Sequence, residues 1–106
     1  MSKIDEIALS FSGSVTIGGV VQAWADLSAA FAQAEPIIVD LDAVIETDLT
    51  FIQLIEAARR KASETGRSLT LRHPAAGAVL EVLQRGGFLG DDPSDRVAFW
   101  LQGAAQ

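Results

Sequence analysis

One stretch decides the fold, residues 36–64, which read PIIVDLDAVIETDLTFIQLIEAARRKASE. Residues 37–41 form a short, mostly apolar run with β-branched side chains, which is typical of a strand buried on both faces at the centre of a sheet. Acidic residues then predict a loop. Thr47 and Asp48 can cap a helix, because their side-chain oxygens accept free backbone N–H groups. The stretch therefore predicts half of a βαβ unit, with its loop where α/β proteins usually place their sites.

The predicted helix after Asp48 has one apolar and one polar face. Glu56 falls on the polar face, where we expect it to pair with Arg60 one turn later. Gly66 is expected to end the helix in the left-handed conformation. The apolar side chains recur at spacings of four, three and four residues, which places them on one face: Phe51, Ile55, Ala58 and Ala62.

Two strands and a helix are predicted before this stretch. Alternating apolar residues predict a strand within residues 4–11, and a Ser-Gly-Ser turn separates it from a second short strand at residues 15–17. Residues 20–34 have a helical period. We expect Trp24 and Phe31, which lie on the apolar stripe of that helix, to pack in the core against the sheet.

A strand, a helix and a last strand are predicted after the central helix. Residues 68–72 alternate as a strand does, and their connection through a helix implies a parallel crossover. Pro74 is expected to begin the next helix, because a first turn does not need its missing N–H. Phe88 is expected to fold back on the core, and residues 95–101 alternate like a final strand. The predicted order is β-β-α-β-α-β-α-β.

Composition limits the classes of function. A chain of 106 residues with 49% hydrophobic residues suits a single domain, over residues 1–106, with one core. The net charge of -6 argues against nucleic acid, whose phosphates require basic patches, and against an anionic membrane surface. A protein partner, with a basic rim, fits this charge better.

The absence of cysteine excludes disulfides, thiolate metal sites and thiol catalysis. The first ten residues, MSKIDEIALS, are too polar for the apolar core of a signal peptide. No apolar run has the length that a membrane-spanning helix needs, so no membrane insertion is expected. These features predict a cytoplasmic protein.

No group of residues has the pattern of an enzyme's active site. His73 is the only histidine, and neither a nucleophile elbow nor a phosphate loop is visible. We therefore expect no catalytic residue, no cofactor and no enzymatic activity. A cluster of acids before the central helix offers oxygen ligands for Mg²⁺ or Ca²⁺, but its spacing matches no known calcium loop, so solvated carboxylates and no metal are predicted: Asp40, Asp42, Glu46 and Asp48.

Thr50 lies in the first turn of the central helix. The macrodipole and the free N–H groups of a first turn favour negative charge, including phosphate. An ordinary first-turn threonine is the simpler interpretation, but Thr50 is a candidate for phosphorylation.

The order of elements and two motifs resemble the STAS family, named for sulphate transporters and anti-sigma-factor antagonists. IIVDLDAVIETD is similar to the family's strand and loop, which end in an aspartate before a helix. FIQLIEAARRKASETGRSLTLRHPAAGAVLEVLQRGGF is similar to the helix, strand and helix that follow. The resemblance covers nearly the whole chain. It implies an α/β fold with a mixed β-sheet of about four or five strands and helices mainly on one face.

The resemblance also implies a function and a site. In sigma-regulating members, a serine or threonine after the aspartate is phosphorylated by a partner kinase, which releases the bound anti-sigma factor. Asp48 matches the aspartate, Leu49 occupies the phosphorylated position, and Thr50 matches the next one. The implied protein is a non-enzymatic, anti-anti-sigma-factor-like regulator of signal transduction and transcription. Its partner would be an anti-sigma kinase or a related signalling ATPase, bound through Asp48, Leu49 and Thr50.

Small members of the family imply two other partners, the ATPase of a lipid-transport ABC system and a chemotaxis-type signalling cluster. A small-ligand or nucleotide binder is a third class, which the missing phosphate loop disfavours.

Overall fold

A computed structural model describes residues 6–87 and 95–101. The described chain alternates strands and helices, which confirms the α/β class. In chain order the elements are β1 (Ile7–Val15), a short 3-10 helix (Ile17–Gly19), α1 (Val20–Phe31), β2 (Ile37–Thr47), α2 (Leu49–Glu64), β3 (Leu69–Leu71), α3 (Gly77–Arg85) and α4 (Asp95–Leu101).

The sheet has β2 at its centre. Within the described residues it has three strands in the order β1-β2-β3, fewer than the predicted four or five. Both strand pairs are parallel, so this sheet is not mixed as predicted. Ile37 of β2 lies opposite Ile7 on one side and Leu69 on the other. Because the strands are parallel, β1 and β2 end at the same edge of the sheet, and α1 and α2 both begin there.

Both long strands run further than predicted. The expected turn and second strand at residues 12–17 are wrong, because β1 continues to Val15 and is followed by the 3-10 helix. Because β1 pairs with β2, it continues as a strand past Gly13. Gly13 has a φ of 70° and lies at a register shift of the kind found at β-bulges. The expected acidic loop is also wrong, because β2 continues to Thr47 and places Asp40, Asp42 and Glu46 within the strand.

The helices lie mainly on one face of the sheet, as predicted. Ile37, Val39 and Leu41 of β2 are buried, and the residues between them are only half-buried, so β2 is not covered on both faces. Alternate side chains of β1 and β3 on the other face are exposed. The predicted apolar stripe of α2 is buried, and Phe51, Ile52 and Ile55 are fully buried in the core.

The rotation of α1 differs from the prediction. Trp24 is 60% exposed and Phe31 is half-buried, so the expected core position of Trp24 is wrong. The buried residues of α1 are instead Ala23, Leu27 and Ala30. Most residues of α1 are apolar, on more than one of its sides, so its hydrophobic period does not determine which side faces the sheet. Small alanine side chains at the buried positions let α1 lie close to its neighbours.

Residues 95–101 form α4 and not the predicted last strand. The helix buries Trp100 completely. The indole N–H of Trp100 donates to Oε2 of Glu56 at 2.6 Å, and Arg59 donates to Oε1 at 2.8 Å. Glu56 is 4% exposed and pairs with Arg59, so the predicted surface pair with Arg60 is wrong.

The helix α3 begins later in the sequence than predicted, after a contact with α4. The N–H of Ala75 donates to the carbonyl oxygen of Trp100 at 2.7 Å, and α3 begins only at Gly77, so the predicted start at Pro74 is wrong. The predicted left-handed end of α2 is confirmed by a φ of 74° at Gly66. The expected folding back of Phe88 lies outside the described residues.

Candidate functional site

Asp48 holds the start of α2 and joins it to the segment before α1. Its Oδ1 accepts the backbone N–H groups of Thr50 at 3.0 Å and Phe51 at 3.3 Å, which confirms the predicted N-cap. Its Oδ2 accepts the N–H of Ile17 at 3.0 Å. The hydroxyl of Thr47 donates to the carbonyl oxygen of Val15 at 2.8 Å, so Thr47 links the two long strands and does not cap the helix.

Thr50 differs in one respect from the expected phosphate site. The N–H groups of Thr50 and Phe51 already bind the carboxylate of Asp48, so they are not free to bind a phosphate. The Thr50 residue itself is half-buried. A phosphate on its hydroxyl would therefore rely on other donors, and it would lie near an existing negative charge.

One such donor comes from α3, which the sequence did not connect with this site. Residues 47–50 and the end of α3, including Val82, Arg85 and Gly86, line a cleft of about 430 Å³. Arg85 lines the same cleft as Thr50, so the cleft has a basic residue. The cleft can accept a carboxylate or phosphate beside Arg85, whose planar group binds either in a bidentate manner. Only tertiary packing brings Arg85 to this place.

Four exposed apolar side chains lie on the segment before α1, on α1 itself and at the start of α2. We call them the apolar patch: Ile17 (69% exposed), Val21 (76%), Trp24 (60%) and Leu49 (45%). The bond between Ile17 and Asp48 brings the segment before α1 to the start of α2. The residues Ile17, Val21 and Trp24 recur at spacings of four and three, so they lie along one side of the chain as it enters α1. Apolar side chains grouped in this way are typical of protein contact sites.

The acidic residues predicted near this site are engaged separately. Asp40 pairs with Arg72 at 3.5 Å, and Asp42 meets Nδ1 of His73 at 2.5 Å on an exposed surface. Glu46 accepts the hydroxyl of Ser14 at 2.9 Å. In the part of the chain that the structure describes, no group of three acidic, histidine or cysteine residues has the geometry of a metal site.

Comparison with family models identifies the fold. A model described as Mlab, STAS domain, matches residues 2–90, most of the chain. The chain belongs to the STAS domain family. No curated protein matches it. The aspartate-ended central strand and the capped helix of this STAS domain are β2, Asp48 and α2. Among the helices of residues 6–87 and 95–101, none is long and apolar enough to cross a membrane.

Proposed function

We propose that this STAS domain is a non-enzymatic regulatory module that binds a partner protein through the start of α2. The observation that carries the proposal is Leu49, an apolar side chain 45% exposed directly after the capping Asp48. Leu49 follows Asp48, whose carboxylate binds the N–H of Ile17, another exposed residue of the apolar patch. A few residues that are desolvated at the centre of an interface contribute most of its binding energy. The partner class is an anti-sigma kinase or a related signalling protein.

Leucine at the position of the usual phosphorylated residue favours constitutive binding. Leu49 has no hydroxyl, so phosphorylation at this position cannot release the partner. Thr50 is the remaining candidate for such a switch. Its cleft contains Arg85, which would pair with a phosphate on Thr50 and so change the charge of the surface that the partner contacts.

The same observation supports a second candidate, a permanent subunit bound to the ATPase of a lipid-transport ABC system. Interfaces that stay assembled are more apolar than transient ones, and the apolar patch has no modifiable side chain at Leu49. A chemotaxis-type signalling cluster is a further alternative of the same kind, in which the protein is a component of an assembly.

The substitution Leu49→Asp tests the site. The fold should persist, because a carboxylate near a helix N-terminus is tolerated or mildly favourable. Partner binding should be abolished, because an unpaired charge would be buried at the contact. The partner is captured from native lysate, identified by mass spectrometry and purified, and its affinity for each variant is then measured. Circular dichroism checks the fold.

Ile45→Asp is the matched control. Ile45 is 77% exposed, as an apolar side chain on β2 and not on α2. Its variant should bind like the wild type. Thr50→Glu should weaken binding as strongly as Leu49→Asp if Thr50 has the regulatory role, and less if it does not. Wild-type affinity in Leu49→Asp would place the partner's contact elsewhere. The identity of the captured protein, a kinase or a transporter ATPase, separates the two partner classes.

A further inference from the structure

A second surface, which we call the α1–α2 groove, runs between the first two helices. Its walls are Trp24, Leu27 and Phe31 from α1 and Leu54, Ala57 and Lys61 from α2, and it encloses about 190 Å³. Leu27 is buried, and Phe31 and Leu54 are half-buried, so the groove has an apolar floor. The small side chain of Ala57, itself exposed, leaves the groove open to the outside.

The groove has an apolar end and a cationic end. Since α1 and α2 follow parallel strands, they run in the same direction, and the last turn of α1 lies beside the last turns of α2. At that end the ammonium of Lys61 is 5.3 Å from the centre of the Phe31 ring, and the guanidinium of Arg67 is 5.4 Å from it. Trp24, near the start of α1, lies at the other end.

Lys61 is available to a partner's carboxylate. Within the described residues it forms no ion pair with an acidic side chain, and neither does its exposed neighbour Arg60. The chain as a whole carries a net charge of -6, so this rim is basic on an acidic protein. At physiological salt, charges more than about 8 Å apart are largely screened, so an acidic group at this end of the groove responds mainly to the two cations beside Phe31, Lys61 and Arg67.

The size of the groove favours a macromolecular occupant. Small-molecule sites usually have about 300–1,000 Å³, whereas the groove has about 190 Å³, the space of one large side chain. We propose that the α1–α2 groove binds an amphipathic helix of an acidic partner segment. One bulky apolar side chain would insert between Trp24 and Phe31, and a carboxylate of the same helix would meet Lys61. The groove shares Trp24 with the apolar patch but does not include Leu49, so Leu49→Asp tests the function proposed above without altering the groove.

Three synthetic helical peptides, added to the intact protein, test the proposal. The first has leucines at spacings of three and four residues, flanked by glutamates. The second replaces the glutamates by lysines, and the third replaces the leucines by serines. Binding is followed by tryptophan emission, because Trp24 is 60% exposed and Trp100 is fully buried. Only the acidic leucine peptide should shift the emission to shorter wavelength, and Trp24→Phe should remove the shift.

Two variants with the same change of charge then locate the contact. Lys61→Glu should weaken the acidic leucine peptide by about five- to tenfold, because it replaces a surface attraction by a repulsion. Arg60→Glu is the matched control, since Arg60 is exposed on the same helix but does not line the groove, and it should have a smaller effect. Ala57→Gln, which fills the opening with a longer side chain, should weaken the peptide at least as much as Lys61→Glu.

Several results would overturn the proposal. Equal binding of the acidic and basic peptides would show that the rim charge is irrelevant, and equal effects of Lys61→Glu and Arg60→Glu would show that the groove is not the contact. Sedimentation of the protein without peptide measures its self-association. This measurement tests whether a second copy of the protein occupies the groove. A self-association that is lost in Lys61→Glu and in Ala57→Gln would assign the groove to a second copy and contradict the acidic helix. The peptide results are independent of the partner captured from lysate. Leu49→Asp can fail to weaken that partner's binding while the peptides still bind the groove as expected.

Discussion

Asp48→Ala should destabilise the domain by removing a carboxylate that joins two segments. In the native protein that carboxylate accepts N–H groups from Thr50 and Phe51 in α2 and from Ile17 before α1. Alanine has no acceptor, so all three bonds are lost. The carboxylate also lies at the positive end of the α2 macrodipole, which it stabilises.

The expected cost follows from the surroundings of each bond. Loss of an N-cap costs about 0.5–2 kcal/mol, and the bonds to Thr50 and Phe51 are partly buried, so water replaces them poorly. The bond from Ile17 is exposed, and its loss should add at most about 1 kcal/mol because water can take its place. The free energy of unfolding should therefore fall by about 1–3 kcal/mol, a large part of a total that is about 5–10 kcal/mol for a small domain.

Asp48→Asn separates the two parts of this effect. The amide oxygen of asparagine caps a helix about as well as a carboxylate, so the bonds to Thr50 and Phe51 should remain. Its nitrogen is a donor and cannot accept the N–H of Ile17. Asp48→Asn should lower the free energy of unfolding by about 0.5–1 kcal/mol, less than Asp48→Ala does. The difference between the two variants measures the contribution of the α2 N-cap.

Urea denaturation measures both variants. Emission of the buried Trp100 reports unfolding, and a slope of about 1–3 kcal/mol per molar urea converts the predicted loss for Asp48→Ala into a midpoint lower by about 1 M. A cost for Asp48→Ala below about 0.3 kcal/mol would refute the structural role of the carboxylate. Equal costs for the alanine and asparagine variants would refute the separate contribution of the α2 cap.

Three further substitutions test the packing. Phe51→Ala should cost about 2–5 kcal/mol, because Phe51 is fully buried and its ring packs edge-on against Phe11 at 5.3 Å. Trp100→Phe should cost about 1–3 kcal/mol, because it removes the indole N–H that donates to the buried Glu56 carboxylate. Trp24→Ala should change the free energy of unfolding by no more than about 0.5 kcal/mol, because Trp24 is 60% exposed. Urea or thermal unfolding measures all three, with circular dichroism as the check that each variant is folded.

A result opposite to the expected one, for any of these three substitutions, would contradict one part of the structure. A near-neutral Phe51→Ala would move Phe51 from the core to the surface. A Trp100→Phe variant as stable as the wild type would mean that α4 does not hold Glu56 through the indole. A large cost for Trp24→Ala would return Trp24 to the core and remove it from both proposed contact surfaces.

The sequence alone determined the elements whose signals are local. The buried stripe of α2 follows from spacing, because residues three and four apart share one face of a helix. The Asp48 cap follows from the side chain itself, which bonds the N–H groups two and three residues later. The parallel course of β2 and β3 follows from the helix between them. The order of elements, the stretch that ends at Asp48 and the stretch that begins at Phe51 also indicated the family.

Only the tertiary structure decided the features that depend on distant partners. Pairing with β1 extended β2 through a polar stretch, because ladder bonds from another strand outweighed the local loop signal. Glu56 is polar by local pattern, yet it is buried because Trp100 and Arg59 bond its carboxylate. The mostly apolar sequence of α1 is compatible with several rotations, so packing against α2 decided that Ala23 is buried and Trp24 is exposed. That rotation exposes Trp24, which therefore belongs both to the apolar patch and to the α1–α2 groove. The groove itself exists only in the folded protein, because folding brings two helices from distant parts of the chain side by side.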